Sequence, residues 1–157
     1  MPRCSTDARR RRVRTTMSTA HDPAQPANGP RILLYSDDVD ARAQVRLAVG
    51  PRLRHGDPEI EWVETATAAA VITTTENGGL DLLILDGEAD KVGGLGLARQ
   101  LKDEIYRCPP VLVLTGRPQD AWLAHWSNAE AVVSRPLDPI ELQAAVAQVL
   151  EQRTTAG

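Results

Sequence analysis

At 157 residues, 42% of them apolar, the chain has room for one domain with a proper hydrophobic core. Its formal charge of −3 hides an asymmetry: residues 1–30 hold six arginines against two aspartates, and from residue 31 onward 12 basic residues face 19 acidic ones, a balance of about −7. A body of that sign argues against nucleic-acid binding by the folded part, because phosphate contacts need a basic face. Nor does any apolar stretch approach the roughly 18 residues that a membrane helix needs.

The run Arg9–Arg12 with Arg14, set among Ser, Thr, Pro and Ala, reads as a solvated, disordered leader over residues 1–30, and no apolar segment follows it that would make it a secretion signal. Pro23, Pro26, Asn28, Gly29 and Pro30 form a breaker-rich linker, so order is expected from Arg31 and a single domain over 31–157. Cys4 lies in the leader and Cys108 stands alone before a strand, with no paired framework and no metal-ligand company, which fits a reducing cytoplasm.

From Arg31 strands and helices alternate. The runs 32–35, 82–85 and 111–114 are continuously apolar, as parallel strands covered on both faces must be, whereas Glu59 to Glu64 alternates, with Ile60 and Trp62 on one side and glutamates on the other, as a half-exposed edge strand does. A fifth strand runs from Ala131 to Ser134. Helical stripes lie between: Ala41, Val45, Ala48 and Val49, stopped by Gly50 and Pro51; a weaker, threonine-rich segment from Thr65 to Glu76, stopped by Gly78 and Gly79; then Leu97, Leu101 and Ile105. A short helix is expected from about Gln119 to Trp126, where Trp122 and Trp126 at i, i+4 read as core packing, with a partner-anchoring role as the alternative. The last helix has Asp138 as cap, Pro139 in its first position, Glu141 completing a capping box, and Leu142, Ala145, Val146, Val149 and Leu150 as its buried stripe.

Five strands alternating with five helices predict an α/β, doubly wound, five-stranded parallel sheet of order 2-1-3-4-5, whose ligands bind beyond the carboxyl ends of the strands. Those ends carry chemistry. The first strand runs into Ser36, Asp37 and Asp38, the third into Asp86, the fourth into Thr115, and the fifth into Arg135 and Pro136. Two carboxylates brought together repel unless a cation sits between them, so Asp37 and Asp86 suggest a hard cation such as Mg²⁺, and the hydroxyl and guanidinium suggest a phosphoryl group.

In these residues the chain, from 31 to 153, resembles the receiver domain of two-component response regulators, the flavodoxin-like, CheY-like fold. Tyr35, Ser36, Asp37 and Asp38 match the end of that family's first strand, with Ser36 in the place of its first acid. Asp86 matches the phosphoacceptor, and the pair Gly93, Gly94 follows at the family's spacing. Thr115 matches the Ser/Thr that binds a phosphoryl oxygen, and Arg135-Pro136 takes the Lys-Pro position, where the proline bond is cis.

The resemblance implies phosphoryl transfer from a histidine kinase or a small phosphodonor to Asp86, with Thr115 and Arg135 holding the phosphoryl oxygens. It also implies Mg²⁺, weakly bound, on Asp37, Asp86 and the backbone carbonyl of Glu88, with Asp38 as a further candidate. The expected protein is a cytoplasmic, stand-alone signalling receiver rather than an enzyme, a monomer or weak homodimer, docking an output protein on the face of strand 5 and helices 4 and 5. Four positions depart from the family: Ser36 removes a carboxylate, Arg135 replaces lysine, Asp90 replaces a loop proline, and Val132 stands where Tyr or Phe is usual. They leave room for a phosphorylation-independent interaction module as the alternative. Haloacid-dehalogenase chemistry fits less well, since Glu88 stands where that family needs a second aspartate, and the glycines at 93, 94 and 96 lack dinucleotide-binding spacing.

Overall fold

A computed structural model describes residues 29–156, so the expected leader, with Cys4, His21 and the arginine run, lies outside the described residues apart from Gly29 and Pro30. The strands are β1 (Arg31–Tyr35), β2 (Glu61–Thr65), β3 (Leu82–Asp86), β4 (Val111–Thr115) and β5 (Ala131–Ser134). The helices are α1 (Val39–Val49), α2 (Ala68–Glu76), α3 (Gly94–Glu104), α4 (Trp122–Ser127), preceded by a 3-10 turn over Pro118–Ala121, and α5 (Pro139–Ala156). All strand pairs are parallel, in the order β2-β1-β3-β4-β5, as the edge character of β2 predicted.

Strand residues alternate between two faces, and both faces are covered, which is why the central runs are apolar without interruption. On one side Ile32, Leu34, Ile84, Leu112 and Leu114 pack against Val45 and Val49 of α1 and Leu142, Val146 and Val149 of α5. On the other, Leu33, Leu83, Leu85 and Val113 pack against Val71 of α2 and Leu97, Ala98 and Leu101 of α3. The edge strand departs from strict alternation: Val63 is half-buried against the opposite core, and Glu64, in phase with Trp62, is exposed. Ile60, just before β2, is buried and Trp62 is half-buried against the same core, while Glu61 and Glu64 face outward to pair with Arg31 and Arg46, each at 3.1 Å.

Two boundaries differ from the sequence reading. Thr65 closes β2, where its hydroxyl donates to Leu34 O at 3.4 Å, and α2 starts later, with Thr67 as a cap that accepts from Ala70 N at 3.2 Å. Thr75 is accommodated inside α2 because its hydroxyl bonds back to Val71 O at 2.7 Å. In α5, Asp138 Oδ1 receives the main-chain N–H of Ile140 and of Glu141, at 2.8 and 3.4 Å.

Core packing of the tryptophans is overturned: Trp122 is 68% exposed and Trp126 49%. Helix α4 presents two adjacent i, i+4 rows, and its inward row is Leu123, half-buried, with Ser127, fully buried. The indoles lie one position round the helix from that row. Trp126 turns toward α3, where the Arg99 guanidinium sits 5.0 Å from its ring centre and donates to its carbonyl at 2.9 Å.

Candidate functional site

The carboxyl ends of β1, β3, β4 and β5 meet at one end of the sheet. Register aligns them: Tyr35 lies beside Leu85, Asp86 beside Leu114, and Thr115 beside Ser134. The last residue of β3 is therefore flanked by the tips of β1 and β4, with the β5 tip one strand further. Gly94 lets α3 start close to this end, because a Cβ there would fall 2.7 Å from Asp86 O. The Arg135–Pro136 peptide is cis, as the resemblance implied.

Asp86 is only 4% exposed and is fully engaged. Its Oδ2 accepts the Ser36 hydroxyl at 2.9 Å and Nη2 of Arg135 at 3.1 Å, while Oδ1 accepts the Glu88 N–H at 3.0 Å. Arg135 supplies the charge that a buried carboxylate requires. Its Nε is buried without a hydrogen-bond partner, so the guanidinium is committed to this end of the sheet through Nη2. Thr115, also buried, lies 3.1 Å from the Ser134 hydroxyl, with Arg117 O at 3.3 Å.

Asp37 is half-buried, and its Oδ2 accepts the Asp90 N–H at 2.9 Å. A proline at residue 90, usual in the resembled family, has no N–H to give. Asp38 is used differently: its Oδ1 caps α1 by accepting from Asp40 N at 2.8 Å. The Glu88 side chain reaches across to β4 and accepts from Gly116 N at 3.2 Å.

Three contributors carried no signal in sequence periodicity. Tyr35 is buried, and its hydroxyl donates to Val92 O at 2.8 Å, tying the β3–α3 loop to β1. Burial raises its pKa above the ordinary 10.0, and the charges of Asp37 and Asp86 raise it further, so both carboxylates act on one phenol. Arg42 of α1 donates to Ser36 O at 2.6 Å and fixes the turn that follows β1. Ser134 holds the Thr115 hydroxyl.

Mg²⁺ makes modest demands: oxygen donors, one or two carboxylates, and water for the rest of its shell. Among the described residues no three acidic, histidine or cysteine side chains form a metal cluster. The neighbouring ends of β1 and β3 supply two carboxylates, Asp37 and Asp86, and an open site of this kind asks for no more than that from the protein's side chains.

No protein-family model matches the chain. Over 120 residues, covering 76% of this chain and 90% of the relative, it is 55% identical to a protein of Mycobacterium tuberculosis named an uncharacterised response regulatory protein, found in two strains. Its fold is similar to that of a CheY-like receiver domain protein of Methanospirillum hungatei, at 20% identity and a TM-score of 0.66, with 83% of this chain and all of that one covered. The receiver domain of an HD domain-containing protein of Pseudomonas fluorescens aligns at 20% identity and a TM-score of 0.69 over 85% of this chain and 95% of that one. The chemotaxis protein CheY4 of Vibrio cholerae aligns at 18% identity and a TM-score of 0.62, over 78% and 99%. With 55% identity across nine-tenths of a response regulatory protein and the sheet order of these structures, the chain belongs to the response regulators and has their CheY-like receiver fold.

Proposed function

We propose that this chain is a stand-alone receiver that accepts a phosphoryl group on Asp86. Receiver domains in general are signalling proteins that interact with histidine kinases and output proteins and use Mg²⁺. For this chain the carrying observation is the buried Asp86 carboxylate held by Arg135 at 3.1 Å, with the Thr115 hydroxyl on the neighbouring strand tip.

In the proposed reaction a carboxylate oxygen of Asp86 attacks the phosphorus of a phosphohistidine or a small phosphodonor. An O–P bond forms, the bond from phosphorus to the donor breaks, and the donor leaves with the electron pair and takes up a proton. Arg135 moves from the carboxylate to the incoming oxygens, and the Thr115 hydroxyl gives up Arg117 O to donate to them. Asp37, Asp86 and the Glu88 carbonyl would hold Mg²⁺, which when bound supplies positive charge beside the phosphoryl oxygens, with Asp38 as a more distant candidate committed to its helix. The acyl phosphate adds a charge of about −2 at the ends of β3 and β4, and the β3–α3 and β4–α4 loops respond to it.

The output partner is read as a protein docking on the α4, β5 and α5 side, with the exposed Trp122 as an apolar anchor. A monomeric or weakly dimeric protein in the cytoplasm completes the reading. No helix among the described residues is long and apolar enough to cross a membrane.

A second reading, a receiver-like module that docks a partner without phosphate, is favoured by the engagement of both Asp86 oxygens by Ser36, Arg135 and Glu88. Acetyl phosphate with Mg²⁺ decides between them. The first reading expects a mass gain of one phosphoryl group and moved amide resonances around Asp86 and Thr115, both lost in Asp86→Asn. An unmodified protein whose partner binding is unchanged by Asp86→Asn is simple docking.

A further inference from the structure

Glu88 stands two residues beyond Asp86 and serves the site twice. Its main-chain N–H holds Asp86 Oδ1 at 3.0 Å, while its side chain crosses to the tip of β4, where Oε1 accepts the Gly116 N–H at 3.2 Å. Gly116 follows Thr115 directly, and Asp86 lies beside Leu114, so this N–H belongs to the same pair of strand tips as the acceptor carboxylate. The seat exists because residue 116 has no side chain: a Cβ there would fall 2.5 Å from Glu88 Cδ and 2.7 Å from Oε1.

A main-chain N–H at a strand tip is a donor that an oxyanion on the neighbouring tip would use. Here an anion of the protein already uses it. Two anions drawn to one N–H repel each other at that range, so occupation by one disfavours the other. The Glu88 side chain is exposed, so it can leave the seat without disturbing the core.

We propose that the Glu88 carboxylate is a resident competitor for the phosphoryl seat, occupying the Gly116 N–H until a phosphoryl oxygen on Asp86 displaces it. Glu88 thereby sets how tightly this receiver holds phosphate. The proposal rests on Asp86 being the acceptor.

Gly116→Ala is the decisive variant, because its methyl group expels the carboxylate while every charge and the residue 116 N–H remain. Residue 116 is not among the glycines with positive φ, so alanine suits the backbone. The full chain, Gly116→Ala and Glu88→Ala are titrated with beryllofluoride in Mg²⁺ and followed by amide NMR, and hydrogen exchange at the Gly116 amide is measured in the full chain and in Glu88→Ala without metal. Half-saturation about tenfold lower in both variants, with faster Gly116 exchange in Glu88→Ala, is the expected result. Equal or weaker binding in the variants overturns the competition and leaves Asp86 as acceptor. Tighter binding in Glu88→Ala alone also overturns it, in favour of a field effect of the charge. Unchanged Gly116 exchange removes the contact itself. Saturation in none of the three proteins, with Gly116 exchange still accelerated, sinks the acceptor reading and reduces the contact to a loop clasp.

Discussion

Ser36 donates its hydroxyl proton to Oδ2 of Asp86 at 2.9 Å, on the oxygen that also receives Arg135 at 3.1 Å. A residue that would repel Asp86 if it were an acid instead bonds to it. The site therefore balances its charge with the protein's own donors. Ser36→Asp should reverse this. Without Mg²⁺ it places a second buried carboxylate against Asp86 and lowers stability by about 1–3 kcal/mol. With Mg²⁺ it tightens the metal by about tenfold and recovers that loss. Urea unfolding and calorimetric titration with and without Mg²⁺ check both signs, and equal metal affinity in the two proteins would remove residue 36 from the site.

The sheet was legible in the sequence because each central strand is covered on both sides, which makes runs such as Leu82 to Leu85 apolar throughout, and because the edge strand carries glutamates among its apolar residues. The strand-tip residues were legible through their place at the ends of those runs. The tryptophans misled for a physical reason: aromatic residues at i, i+4 describe a stripe, but not which of two adjacent stripes faces inward, and on α4 the Leu123 and Ser127 row does. The reach of Glu88 to Gly116, of Tyr35 to Val92 and of the Asp90 N–H to Asp37 joins residues 28, 57 and 53 positions apart through loop backbone. Periodicity carries no information about such contacts.

Asp90→Pro tests the clasp on Asp37. Proline cannot donate, so Asp37 Oδ2 loses its main-chain partner at 2.9 Å and is released toward a cation. Tighter Mg²⁺ binding is expected, with at most about 1 kcal/mol lost from folding stability. Weaker metal binding would mean that the Asp90 N–H orients Asp37 productively instead of restraining it.

Arg135→Ala leaves the Asp86 carboxylate buried without its cation. Arg135 retains some solvent contact, its side chain being 24% exposed, so the cost should be about 1–3 kcal/mol, below that of a fully buried pair. Asp86→Asn combined with Arg135→Ala should lose less than the two single changes added together, because the neutral amide no longer needs the guanidinium. Chemical denaturation of the four proteins measures this coupling, and additive losses would show that the ion pair contributes nothing specific.

Trp122→Ala separates surface from core. Because the indole is 68% exposed, the fold should lose no more than about 0.5 kcal/mol, whereas an output partner anchored on α4 should lose affinity about tenfold or more. Trp126→Ala should cost a little more stability, about 0.5–1 kcal/mol, since its ring faces the Arg99 guanidinium at 5.0 Å. A large loss of stability in Trp122→Ala would restore the core reading.

Tyr35 links the site to alkaline stability. Burial first, then the charges of Asp37 and Asp86, hold its phenol protonated above the ordinary 10.0, so the folded chain keeps a proton that the unfolded chain has begun to release. A pKa raised in the folded state contributes stability that is complete below the unfolded value and is lost as pH climbs through the folded one. The protein should therefore weaken as pH rises from about 10 upward. Tyr35→Phe removes both the titration and the bond to Val92 O, so it should cost about 0.5–1.5 kcal/mol at neutral pH and flatten the alkaline decline. Urea unfolding of both proteins across that range distinguishes the phenol from other groups, because a decline of equal steepness in the phenylalanine variant would assign the alkaline loss elsewhere. The same substitution frees the β3–α3 loop at Val92. If the loop is what conveys a phosphoryl group on Asp86 to the surface, faster amide exchange from Gly87 to Gly93 should accompany the flattened profile.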